Sequence, residues 1–384
     1  MVSKKKAKKT LWIFSVAAFL NDVGSDMIMP IWPLFVTTFL GADLTILGLL
    51  DGLGKAFVSI SQAVSGYVSD RIRKRKVFVW VGYLFAGFAR GGYALVNTWP
   101  WLVPLKILDR SGKIRDAPRD AIIADISKYK SRGKFFGILE MMDNLGAIVG
   151  ILISIAVFSL LGFKKLFLLA AIPSLIAVIL IIFFIKEKHD GKIFKGLKIK
   201  NLDFNFKLFL FVSGIFALAN FSYSFLLVFA NQFGIPTTFV PVFYLLYTVV
   251  ATIAAIPFGK ALLKLGRRST ITISFALFAV MCLGFILINQ TWMLYILFIL
   301  YGLHLASLNV SQKTIVSELA PKKYRASSLG LYQMVIGILA LPSSVIAGVL
   351  WEKVAMWAPF ALALGLTSIA IVVLSFVNFK NHDS

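Results

Sequence analysis

Apolar runs of about 20 residues recur along the whole chain, and the basic residues between them fall in alternate gaps. No other feature restricts the fold as much. A run of that length crosses the hydrocarbon of a bilayer as a helix, and inside a bilayer only helices and closed barrels satisfy every backbone hydrogen bond. Hydropathy predicts twelve segments, roughly 11–38, 45–69, 77–97, 100–124, 134–160, 165–185, 208–232, 239–263, 269–289, 292–316, 326–350 and 354–378. The expected class is an all-α polytopic membrane protein.

Charge sets the orientation. Lys4 to Lys9, Arg71 to Lys76, Lys128 to Lys134, Lys186 to Lys207, Lys260 to Arg268 and Lys322 to Arg325 occupy every second gap. The other gaps are nearly free of Lys and Arg, interrupted only by Lys164, Lys165 and Lys353. By the positive-inside rule both termini are expected in the cytoplasm, in the cell membrane. Trp99, Trp101, Trp292 and Trp351 fall at outer ends and Trp12 and Trp80 at inner ends, as aromatic belts do. The net charge of +23 therefore reflects topology and does not point to nucleic acid. A single cysteine, Cys282, excludes an internal disulfide framework and offers no metal-site spacing. No small-residue cleavage site follows the first apolar run, which reads as an uncleaved span.

The chain repeats itself. Gly66 maps to Gly259, Asp125 to Glu318, Arg132 to Arg325 and Gly137 to Gly330, all at one spacing of 193 residues and each in an equivalent position. This predicts a parallel duplication: residues 1–186 as an amino-terminal six-helix bundle, 187–206 as a cytoplasmic linker, and 207–384 as a carboxy-terminal six-helix bundle.

The loop after the second span carries Gly66, Asp70, Arg71, Lys74 and Arg75, and its echo carries Gly259, Gly266, Arg267 and Arg268. This pattern resembles the inner-loop motif of the major facilitator superfamily (MFS), with Arg73 where a glycine is usual and Leu263 where the echo lacks the acid. "NDVGSDM" at 21–27 and "PRDAIIAD" at 118–125 are similar to segments of bacterial and archaeal permeases of that superfamily. The resemblance implies the MFS fold, with two pseudo-symmetric bundles about a central cavity, alternating access, a gate at the inner-loop motif and action as a monomer. Gly112-Lys113-Ile114 and Gly150-Ile151 depart from the family's usual Gly-Lys-Gly and Gly-Pro, the latter common in antiporters.

Charges inside the spans supply the candidate site. Asp22 lies roughly 16 Å into a span entered near Leu11, close to mid-membrane. Asp22 and Asp26 are one turn apart and share a face with Ser15, Ala18, Ser25 and Met29. A central carboxylate costs about 3 kcal/mol, so this stripe is expected to face a polar cavity or basic partners. Asn21, Arg110, Lys113, Glu140 and Asp143 complete the proposed substrate and proton-coupling set. The carboxy-terminal half offers Asn220, Tyr223, Tyr244, Tyr247, His304 and Asn309 as a softer cavity wall. His304, alone in its span, reads first as a satisfied core histidine. Asp51–Lys55 and Asp109–Lys113 read as neutralising pairs at i, i+4, and Arg115, Arg119 and Asp120 as gate or headgroup residues.

These features predict a secondary transporter of a small molecule. Asp22, with Asp26, would take a proton in one state and Arg110 would answer it. Export of amphipathic, drug-like compounds is preferred slightly over uptake or exchange of an organic anion at Arg110 and Lys113. A non-transporting receptor or scaffold on the same fold is the alternative of another class. No HExxH, nucleotide-binding GxGxxG or Gly-Lys-Ser cradle is present, so an enzyme, a metal site and a cofactor are not expected.

Overall fold

Alternation of apolar helices with short breaks is what the computed structural model shows. It describes residues 4–72, 74–127, 132–185, 203–319 and 325–379. Among these every regular element is a helix. Among the described residues, eight helices are long and apolar enough to cross a membrane. The expected linker falls almost wholly outside the described residues.

Helix α1 (Lys4–Ile28) stops just before Pro30, which lacks an N–H and disfavours helix in the residue preceding it. Asp43 opens α2 (Leu44–Ile72) as a cap, its carboxylate accepting the Ile46 N–H at 2.8 Å. Helix α3 (Arg75–Tyr93) follows. The fourth apolar segment is interrupted: α4 (Leu102–Ser111) passes through a 3-10 turn, Gly112–Arg115, into α5 (Asp116–Ile126). Helix α6 (Arg132–Phe184) breaks at Gly162, whose φ of 64° and ψ of −173° only glycine adopts readily. Then come α7 (Phe204–Ala219), α8 (Ser224–Gln232) and α9 (Val240–Leu287), the last broken in the same way at Gly266, φ 83°. Helices α10 (Met293–Leu319), α11 (Arg325–Lys353) and α12 (Ala358–Leu374) end the fold.

Two compact units result. The first comprises 1–42 with 53–195 and the second 43–52 with 196–384, so the first residues of α2 belong to the second unit. In the first unit, α1 and α6 touch backbone to backbone. A Cβ on Gly146 would sit 2.5 Å from the Phe19 carbonyl oxygen, and one on Gly150 2.4 Å from that of Val23. Only glycine permits such an approach. Phe14, Val79, Tyr83, Ile123, Leu139 and Ile181 fill the adjoining core. In the second unit Gly48 and Gly348 serve the same purpose, meeting Ser344 and Leu44. Large apolar side chains such as Leu160, Phe183, Ile253, Ile256 and Phe376 stand exposed, as a lipid-facing surface requires.

Candidate functional site

The first unit concentrates its buried charge around one stripe of α1. Between Asn21 and Pro30 the half-buried positions are Asp22, Ser25, Asp26 and Met29, and every other position is buried. This i, i+3, i+4, i+7 set is one face of a helix. Ser15 and Ala18, expected on the same face, are buried, so the stripe opens only from Asp22 onward.

Ser25 and Met29 line a cleft with Trp32, Arg90, Lys106 and Arg110, and Tyr93 and Asp109 close it. It is narrow, with room for about one water. Arg90, 4% exposed, knits its wall together. It donates to the Asn21 carbonyl at 2.9 Å and to the Ser174 hydroxyl, and its Nε lies 3.7 Å from Asp109. Ser174 in turn donates to the Asn21 side-chain oxygen at 3.3 Å, and the Asn21 amide donates to Asp22 at 2.9 Å. Arg110 faces Asp109 at 3.4 Å and the Met29 sulfur at 3.3 Å. The Lys106 ammonium rests 3.6 Å above the Trp32 ring, a cation–π contact that holds a charge in an apolar wall.

The spacing Asp109–Lys113 suggested a helical pair, but the 3-10 turn at Gly112–Arg115 alters the register. Asp109 pairs with Arg90 and Arg110, and Lys113 lies 3.7 Å from Asp116. Asp116 also accepts from Gln62 at 2.9 Å and faces Arg115. Asp143 approaches Arg119 at 3.8 Å, while Glu140 is exposed. Of the expected coupling set, then, Asn21, Asp22 and Arg110 join the cleft network, Asp26 is half-buried on the same face of α1, Asp143 and Lys113 belong to a second charged cluster, and the exposed Glu140 borders that cluster. Lys106 and Ser174 were missed, and Arg90, a charge within the third span, was left out of the set. Arg90 and Lys106 were detectable as single charges in apolar runs, whereas Ser174 gave no signal.

In the second unit Tyr223, Tyr244, Tyr247 and Tyr301 form a contiguous aromatic wall, with neighbouring ring centroids 4.9 to 6.4 Å apart. Asn220 caps α7 where the chain breaks before α8 and is half-buried. Asn309 is exposed. His304 is fully buried, its Nδ1 2.8 Å from the Ser274 carbonyl oxygen, which can only accept. Nδ1 therefore carries the hydrogen, and the ring packs against Phe216, Phe278 and Tyr301 as a core residue.

At the inner-loop motif Arg75 meets Asp125 at 2.5 Å, and Arg267 meets Glu318 through two hydrogen bonds, the longer 2.9 Å. The two pairs sit at repeat-equivalent acids. Arg268 donates to the Val377 carbonyl at 2.6 Å. Arg71 and Lys74 are exposed, and a Cβ on Gly66 would only reach van der Waals contact with Ala117. Gly259 has open space where a Cβ would stand. The Asp70 side chain lies outside the described residues.

Apolar helices of spanning length and, in the first unit, a narrow charge-lined cleft define a polytopic membrane protein. The Major Facilitator Superfamily model matches residues 14–246 and 208–383, and the chain belongs to that family. It is 38% identical over 360 residues to the "Uncharacterized MFS-type transporter MJ1317" of Methanocaldococcus jannaschii, covering 91% of this chain and 90% of that one. The multidrug resistance protein MdtH of Escherichia coli is 28% identical over 135 residues, 34% of this chain and 33% of its own. Among solved structures the nucleoside transporter NupG matches with a TM-score of 0.76 at 16% identity, covering 97% of this chain and 100% of that one. That last likeness is one of fold.

Proposed function

We propose that this protein is a secondary active carrier of a small molecule, working by alternating access and coupled to protons. In this reading the chain has twelve spans in two six-helix bundles, 1–186 and 207–384, joined by 187–206, with both termini in the cytoplasm, and it works in the cell membrane as a monomer. The observation that carries the reading is the half-buried stripe Asp22, Ser25, Asp26, Met29, whose Ser25 and Met29 line the charged cleft and whose Asp22 joins the cleft's network through Asn21. Ionisable groups held at that depth are expensive to retain and mark ion or substrate paths. Asp22 and Asp26 are the coupling acids and Arg110 their counter-charge.

Export of amphipathic compounds is the preferred direction, supported by the partial similarity to a multidrug resistance protein and by the tyrosine wall of the second unit. One observation favours a second reading. Arg90, Lys106 and Arg110 outnumber Asp109 on the cleft, which suits the carboxylate or phosphate of an organic anion. A thermal-shift screen of the purified protein against cationic amphiphiles and organic anions, at two pH values, separates them, since a ligand stabilises the form it binds. Proton-driven movement of the hit in proteoliposomes is then compared with Asp22→Asn. Loss of the pH dependence is expected, and an unchanged pH dependence discards the assignment. A hit that binds without ever being moved identifies a receptor or scaffold.

A further inference from the structure

Which of the buried acids exchanges the proton with the cytoplasmic side follows from their partners. Asp109 lies between two guanidinium groups, Arg90 and Arg110. Asp116 accepts a hydrogen bond from Gln62 and is flanked by Lys113 and Arg115. Asp120 accepts from Arg119 at 2.9 Å, and Asp22 accepts from the Asn21 amide at 2.9 Å. Each of these carboxylates accepts a hydrogen bond or lies between two cations. Asp143 differs. Its Oδ1 is buried with no hydrogen-bond partner among the described residues, and its Oδ2 has Arg119 at 3.8 Å, beyond hydrogen-bond reach.

Position makes that carboxylate reachable. Asp143 sits one turn before Gly146, where α6 lies against α1, and its side chain remains 25% exposed. The groups that face it are Asp22 from α1, Lys113 from the 3-10 turn, Asp116 and Arg119 from α5, and on its own helix Glu140. Tyr83 of α3 faces Arg119 in the same cluster. Two acids, Asp22 and Asp143, therefore repel across the α1–α6 contact, and a proton on Asp143 relieves that repulsion.

We propose that Asp143 is the proton-exchange site of the first unit and that Arg119 is its switch, sharing its charge between Asp143 and Asp120. The inference rests on the proton-coupled reading above and names the residue through which the proton enters. When the Asp143 carboxylate takes a proton from water it becomes neutral, and Arg119 loses its attraction to α6. The guanidinium then stays wholly with Asp120 on its own helix, and the tie between α5 and α6 is released. Loss of the proton restores it. Arg119 is thus a positioning residue; the group that reacts is Asp143.

The test uses the full chain in lipid nanodiscs, with the proton itself as probe. Infrared difference spectra across a pH titration follow the carbonyl band of protonated carboxyl groups. Wild type is expected to show such a band, Asp143→Asn to lose a component of it, and Asp22→Asn to keep that component. Arg119→Gln removes the cation that opposes protonation, so the midpoint moves to higher pH by one unit or more, about tenfold in proton affinity. Arg119→Lys restores it, which a purely structural role for Arg119 would not produce. A full band in Asp143→Asn, with its loss in Asp22→Asn, overturns this assignment while leaving proton coupling in place. If Asp143→Asn does not fold, an unmoved midpoint in Arg119→Gln overturns it instead. No titrating band in wild type removes the proton-coupled reading itself.

Discussion

Replacing Arg90 with methionine separates what holds the cleft together from what works in it. Arg90 is 4% exposed and joins three elements: Asn21 on α1, Asp109 on α4 and Ser174 on α6. Methionine keeps much of the volume but leaves the Asn21 carbonyl and Ser174 without their charged donor. Removing one member of a buried charged pair costs about 3–5 kcal/mol, because the partner stays desolvated. Asp109 retains Arg110 at 3.4 Å, which places the expected loss at the low end, about 3 kcal/mol. Equilibrium unfolding in mixed micelles, followed by far-ultraviolet circular dichroism, measures the change. An Arg90→Met protein within about 1 kcal/mol of wild type refutes the argument.

Other consequences are smaller or more local. Gly150→Ala pushes a methyl group against the Val23 carbonyl oxygen, where a Cβ would lie at 2.4 Å, and should cost about 1–3 kcal/mol in the same unfolding assay. In the second unit Asp51, 7% exposed, accepts from Ser222 at 2.7 Å and from Ser224. Ser222→Ala should therefore lower stability by about 1.5–3 kcal/mol, the range for a hydrogen bond to a charged group, and Ser61→Ala, which touches no part of this cluster, serves as the control. Cys282 is fully buried, so a thiol-reactive dye should label it only as the second unit unfolds, and labelling at room temperature in the native protein would contradict that packing. Arg75→Gln removes an ion pair whose acid is 56% exposed and should change stability by no more than about 1 kcal/mol.

Much of this molecule was legible in its sequence because a bilayer leaves few solutions. Apolar runs of fixed length specify membrane-spanning helices, and the inner-loop motif points to the family that the family match shows. The i, i+4 placement of Asp22 and Asp26 announced a polar face, and that face is where α1 is half-buried. Pairings across elements were not legible. Asp109 and Lys113 obey the helical spacing, yet a 3-10 turn between them sends one to Arg90 and the other to Asp116. Asp51 bonds to Ser222 and Ser224, more than 170 residues away, through a break between α7 and α8 that no strong turn signal marks. Ser174 is an ordinary serine in an apolar run until Arg90 reaches it. Local periodicity fixes which face a residue occupies, whereas partners are decided by which helices pack and where their backbones bend.

The most direct measurement is proton movement with the ligand. Proteoliposomes carrying a pH-sensitive dye inside receive a compound that stabilises the purified protein, and proton and ligand fluxes are recorded together. The account predicts that the two fluxes rise together in wild type, and that Asp22→Asn moves ligand, if at all, without protons. Ligand crossing the membrane in wild type with no accompanying proton flux would contradict it.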